Sequence, residues 1–243
     1  MQLPLPVTLP TDETFDSFIL GGNSEIVAML KNVSAHNDWR SSLHLQNLKG
    51  LQLPLITLLG GEGIGKSHLL FGLCHQLSEQ NVSYLYLNLN EHQQWSLAIF
   101  DGLENVSVIC LDNIHAIAGK ADWEEALFDL FNRVIERPGA LVICSSHIGP
   151  ASPLFLLPDL KSRLAWGVIY HIHSLDDESK KEAVRLRAQQ RGLKLSEHAL
   201  QFLLNHSERD LRSLLALLAR LDTRSLQEKR RLSVAMVKRE LCL

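Results

Sequence analysis

Cysteine is scarce in this sequence: Cys74, Cys110, Cys144 and Cys242 are its only four, and no two stand as C-x-x-C. That excludes a disulfide scaffold and a thiolate zinc site of ordinary spacing. Cys110 and Cys144 fall inside apolar runs and read as buried thiols, which suits a reducing cytoplasm. The eleven histidines form no H-E-x-x-H arrangement or metal-like cluster, so they read as surface or core residues. No apolar run approaches the roughly 20 residues of a membrane span. The opening MQLPLPVTLPTDETF carries prolines and acids but no basic side chain, so no secretory leader is expected. Aromatic residues make up only 6% of the chain, and Trp95, Trp123 and Trp166 read as packing residues rather than base-stacking platforms. Together these absences point to a cytoplasmic protein with no membrane partner.

What is present is an ordinary globular composition, 46% apolar and 21% charged over 243 residues. That length suits one large domain, or a medium one with a small companion. The net charge of −3 conceals an asymmetry, because residues 1–179 hold 9 basic against 20 acidic side chains and residues 180–243 hold 15 against 7. The shift marks a boundary near Ser179. A basic C-terminal piece is either a solvated helical surface or a contact for nucleic acid or an acidic partner.

Five short apolar runs, 53–59, 82–89, 106–111, 140–145 and 167–172, have strand length and near-continuous hydrophobicity. Such runs suit strands covered on both faces, as in a parallel sheet. Between them, Leu69, Leu70, Leu73 and Leu77 share one helical face. Asp122-Trp123-Glu124-Glu125 has the form of a capping box opening a helix to about Glu136, before Pro138-Gly139. After Asp176 the strand pattern ends. LDDESKKEAVRLRAQQRG, SEHALQFLLNH, ERDLRSLLALLARLD and VAMVKRELCL read as helices. The expectation is an α/β domain with a parallel sheet and then a small all-helical domain.

The first run leads into Gly60-Gly61-Glu62-Gly63-Ile64-Gly65-Lys66-Ser67, a full G-x-x-x-x-G-K-[ST] match between strand and amphipathic helix. Glycines let successive N–H groups converge on phosphate oxygens, and the following helix presents its positive end. Lys66 is then expected at the terminal phosphates and the Ser67 hydroxyl on Mg²⁺. Val108-Ile109-Cys110-Leu111-Asp112 ends an apolar strand in a carboxylate, which makes Asp112 the acid on the Mg²⁺ side. Asn113 follows, and an amide cannot take a proton at neutral pH. Ser145-Ser146 end the fourth strand, either as a polar sensor of the outer phosphate or as a plain turn.

With these motifs the chain resembles AAA+ proteins of the bacterial replication-initiator group, the DnaA relatives, over residues 14 to about 240. TFDSFILGGNSEIVAML (14–30) is similar to the DnaA segment beside the adenine, which implies nucleotide contacts for Phe15 and Phe18. The resemblance extends the nucleotide site from Gly60 through His68, with Asp112 and Asn113 where DnaA has two successive acids. Leu160-Lys161-Ser162-Arg163-Leu164-Ala165-Trp166-Gly167 resembles the stretch carrying an arginine finger, which implies that Arg163 acts in trans. Asp210-Leu211-Arg212-Ser213-Leu214 resembles the lid helix with its second sensor arginine, Arg212.

Two departures refine the resemblance: no helix-turn-helix domain follows the lid within these 243 residues, and the chain opens on Gln2-Leu3-Pro4-Leu5-Pro6. That pentapeptide resembles sliding-clamp-binding peptides, with Leu3 and Leu5 as apolar anchors on a proline-stiffened strand. The implied organisation is a clamp-binding peptide (1–13), an AAA+ P-loop domain (14–175) and a helical lid (176–243). The implied function is a negative regulator of replication initiation, holding ADP or ATP with Mg²⁺. It would meet DNA through the clamp, stimulate hydrolysis of DnaA-bound ATP and possess weak intrinsic ATPase, with self-association open. An autonomous ATPase of helicase-loader or clamp-loader type, and a clamp adaptor with structural nucleotide, remain alternatives.

Overall fold

The computed structural model describes residues 9–35, 54–137, 139–193, 195–206, 211–228 and 234–240. The clamp-like pentapeptide Gln2–Pro6 and Asp210 lie outside them. Five strands form one sheet: β1 (Leu55–Leu59), β2 (Tyr84–Asn88), β3 (Val108–Asp112), β4 (Leu141–Ser146) and β5 (Val168–His171). Their order is β2-β3-β4-β1-β5 and every pairing is parallel. β3 and β4 are buried along their whole length, which is why their sequences show no alternation.

Helices α1 (Ser24–Ala35), α2 (Lys66–Glu79), α3 (Ala121–Glu136) and α4 (Pro158–Trp166) accompany the sheet. Leu69, Leu70, Leu73 and Leu77 of α2 are fully buried. A separate core joins Leu87, Ile109, Leu111, Val142 and Cys144 of the strands to Leu127, Leu130 and Phe131 of α3 and Leu160 and Leu164 of α4. Each such side chain contributes roughly 1.5–3 kcal/mol by leaving water.

The predicted capping box is corrected. The residue before α3 is Lys120, with no side-chain cap, and Asp122 sits inside the first turn. Glu124 is instead the working carboxylate. Fully buried, it accepts from the N–H groups of Gly119 (2.7 Å), Leu156 (2.8 Å) and Leu157 (2.7 Å), tying the helix start to the segment that enters α4.

By internal contacts the chain forms two compact units, one holding the described residues up to Phe15 and Asn23–Ile172, the other Asp16–Gly22 and those from His173 onward. The second unit contains α5 (Asp177–Gln190), α6 (Glu197–His206), α7 (Leu211–Glu228) and α8 (Val234–Glu240). Val184, Leu200, Leu203, Leu214, Leu218, Leu221 and Val237 make its core. Asp176 caps α5, its side chain accepting from the Ser179 N–H at 2.8 Å. Among the described residues no helix is long and apolar enough to cross a membrane.

Candidate functional site

β1 delivers the chain into the glycine loop, and α2 starts at Lys66. Gly65, the residue before that helix, has φ 99°, a left-handed conformation open to glycine at little cost. A Cβ on Gly60 would stand 2.3 Å from the tip of the Ile64 side chain and 3.0 Å from the Ile172 carbonyl, so any larger residue there must displace the Ile64 side chain. Lys66 folds back over the loop. Its ammonium donates to the carbonyls of Gly60 (2.7 Å) and Gly61 (2.5 Å). Burial lowers the Lys66 pKa below its ordinary value, and the charges of Asp112 and Glu62 oppose that shift. A buried ammonium folded over a glycine loop at a helix start is suited to an anion.

Asp112 terminates β3 with 1% exposure. Its Oδ2 accepts from the Tyr86 hydroxyl at 2.7 Å, and Oδ1 accepts from the Ser145 hydroxyl. Burial, then the charge of Asp112, pushes the Tyr86 phenol far above its ordinary range, so it stays protonated and donating. Asn113 occupies the left-handed region (φ 60°), which asparagine tolerates better than most residues. Its N–H donates to Ser145 Oγ at 2.8 Å and its Nδ2 to Asn88 Oδ1 at 2.9 Å. Asp112, Asn113 and Ser145 therefore form one network across β2, β3 and β4. The hydroxyl of Ser146 donates to the Ile148 carbonyl at 2.7 Å.

Other expected site residues lie as follows. His68 Nε2 is 2.8 Å from the Thr14 carbonyl, and Phe15 is buried against Gly72 of α2. Phe18 is buried and belongs to the second unit, as does Arg212 in the first turn of α7. On α4, the Arg163 guanidinium lies 5.5 Å from the Trp166 ring centre and 5.9 Å from that of Phe128. Among the described residues it makes no ion pair with Asp159 or another carboxylate. Trp166, expected to pack inside, is 59% exposed, because it closes a short helix whose buried face is spent on Leu160 and Leu164. Trp123 does pack, edge-on to His92 and Phe100.

Sequence reasoning missed one feature. His115 and His147 pair with ring centres 3.6 Å apart and planes tilted by 46°, and His147 Nδ1 lies 4.0 Å from Glu62 Oε1 of the loop. The only signal was that each follows the end of a strand that also carries a site residue. Among the described residues no cluster of histidine, cysteine and acidic side chains forms a metal site.

The family model described as "Bacterial DnaA ATPase domain" matches residues 9–171, and "Hda, lid domain" matches residues 177–241. Among solved structures, domain III of the Thermotoga maritima replication initiation protein DnaA superposes with a TM-score of 0.77 at 20% identity, covering 96% of this chain and 97% of that one. AMPPCP-bound DnaA from Aquifex aeolicus gives 0.66 at 19% identity over 88% and 66% of the two chains. Thermotoga maritima RuvB gives 0.66 at 17% identity over 96% and 72%. These structural likenesses establish a shared fold, and the family match spans about two thirds of the sequence. The chain therefore belongs to the bacterial DnaA ATPase-domain family, as a Hda/DnaA-related AAA+ protein.

Proposed function

We propose that this chain is a negative regulator of replication initiation, a nucleotide-holding module that acts on ATP bound by DnaA. The observation that supports it best is a contrast within one domain: Asn113 stands where a water-orienting acid would be, tied by its amide to Asn88, while among the described residues Arg163 makes no ion pair. Such a domain is suited to holding nucleotide and to completing the site of a neighbour.

The residues present fit a nucleotide with Mg²⁺. N–H groups from Gly61 to Ser67 would hold the phosphates and Lys66 would exchange its loop carbonyls for phosphate oxygens. Ser67 and the remaining lone pairs of Asp112 would hold the metal, which neutralises phosphate charge when bound. Following the resemblance, Phe15, Phe18 and Arg212 would also contact the nucleotide. The backbone N–H of His68 would join the phosphate cradle, while its Nε2 lies 2.8 Å from the Thr14 carbonyl. Gln2-Leu3-Pro4-Leu5-Pro6 would tether the protein to the DNA-loaded sliding clamp. Arg163 would then stabilise charge developing on the neighbour's γ-phosphate, an effect worth about 10³–10⁵ in rate in other phosphoryl-transfer systems.

The test mixes the protein, clamp and DNA with ATP-loaded DnaA and follows hydrolysis. Stimulation by the whole chain, lost on deleting residues 2–6 while ADP binding persists, is the expected result. No stimulation by the whole chain overturns the reading.

A further inference from the structure

The paired imidazoles of His115 and His147 have no part in the mechanism above. His147 directly follows β4 and His115 lies three residues beyond the end of β3. Because β4 is the neighbour of both β3 and β1, the two rings leave the sheet at the end where β1 launches the glycine loop. The side-chain donors that directly end or follow β3 and β4 are committed. Ser145 donates to Asp112, Ser146 to the Ile148 carbonyl and Asn113 to Asn88.

The pair has a defined proton inventory. The His147 backbone N–H donates to His115 Nδ1 at 3.4 Å, which leaves that nitrogen bare and puts the neutral ring's proton on Nε2. Burial first, then the charges of His147 and Lys66, lowers the His115 pKa to about 4. Two cationic rings at 3.6 Å would also repel, so the pair accommodates at most one proton. The charged groups facing it are Glu62 and Lys66 of the loop and Asp112 of β3.

We propose that the His115–His147 pair is a second phosphate-contacting element of the pocket, and that it takes up one proton from solvent as the nucleotide binds. An arriving polyphosphate adds negative charge beside an imidazole, the side chain best placed to gain a proton near neutrality. His147 then donates a charge-assisted hydrogen bond, with His115 Nε2–H as a neutral donor behind it. The pair thereby supplies adjustable positive charge near a strand end that carries an amide at position 113. By linkage, affinity rises as pH falls through the imidazole range, by at most about tenfold per pH unit for one proton. This inference rests on nucleotide binding at Gly60–Ser67 and is independent of DnaA and the clamp.

Titration calorimetry with ADP, in two buffers of different ionisation enthalpy, counts the protons taken up. The wild type should take up a substantial fraction of one proton, and His147→Asn markedly less, with ADP affinity down about tenfold near pH 6.5 and little changed near pH 8.5. Protons gained by Lys66 or by ADP itself appear in both proteins and cancel in the difference. Equal uptake by the variant, with ADP still bound, overturns the proposal. Should the variant fail to fold, imidazole ¹⁵N resonances of the wild type replace it, and His147 signals unmoved by ADP overturn the proposal equally. Absence of any ADP binding by the wild type would remove the nucleotide reading itself, a separate and distinguishable failure.

Discussion

Glu124 and Lys66 show how differently two buried charges can be used. Every contact of Glu124 is structural, since its carboxylate collects three backbone donors and has no exposure. Glu124→Gln turns an NH₂ group toward N–H donors, and the loss is expected at about 1–3 kcal/mol in chemical denaturation. A change within 0.5 kcal/mol, typical of surface substitutions, would contradict that account. Lys66 is held at a cost, because burial lowers its pKa. The sign follows from linkage: the folded state binds its proton less readily, so the penalty is full below the folded pKa and disappears as pH rises past the unfolded value. Lys66→Met should therefore leave the ligand-free protein at least as stable while sharply weakening ADP. At ~100 times its dissociation constant, ADP should stabilise the wild type by ~2.7 kcal/mol and the variant hardly at all. A wild-type melting temperature unmoved by excess ADP would reject the site.

At the scale of elements, legibility follows burial. All five strands lie within about two residues of their apolar runs, and the three central ones, β1, β3 and β4, are near-continuously apolar because both faces are covered. The glycine loop was legible because its backbone chemistry needs those residue types in that order. The start of α3 was misread, since a local pattern cannot show that Glu124 faces a segment 32 residues later. The paired histidines were invisible for the same reason: they meet through strand order, not spacing. A further long-range contact carries a prediction. Pro10 and Thr14 carbonyls lie 2.8 Å from Nε2 of His75 and His68, and a Cβ on Gly72 between them would sit 3.0 Å from the Phe15 ring and backbone nitrogen. Gly72→Ala improves helix propensity by roughly 1 kcal/mol but should lift residues 10–15 from α2. Faster amide exchange or proteolysis confined to that segment is expected. Unchanged exchange there, with the helix stabilised, would mean that the segment yields without detaching.

Arg163 belongs to the scale of the whole molecule, because its proposed effect appears only on another protein's nucleotide. Its place on a helix is legible in the sequence, whereas its surroundings are not: the rings of Trp166 and Phe128 stand beside it. Rings attract the guanidinium without neutralising it, so its charge remains available to phosphate. An exposed ion pair would have contributed at most about 1 kcal/mol, and none is lost on truncation. Arg163→Ala should consequently unfold at nearly the wild-type temperature and bind ADP and clamp as before. Its stimulation of DnaA-bound ATP hydrolysis should fall by at least ~10³. Arg163→Lys should rescue poorly, since an ammonium lacks the planar fork that engages two phosphate oxygens. Measuring maximal stimulation and the half-saturating concentration separately distinguishes a finger from a docking contact, because a finger acts on the maximal rate. Wild-type stimulation by the alanine variant would assign the trans effect to another residue, while loss of clamp or ADP binding would show that Arg163 supports the fold.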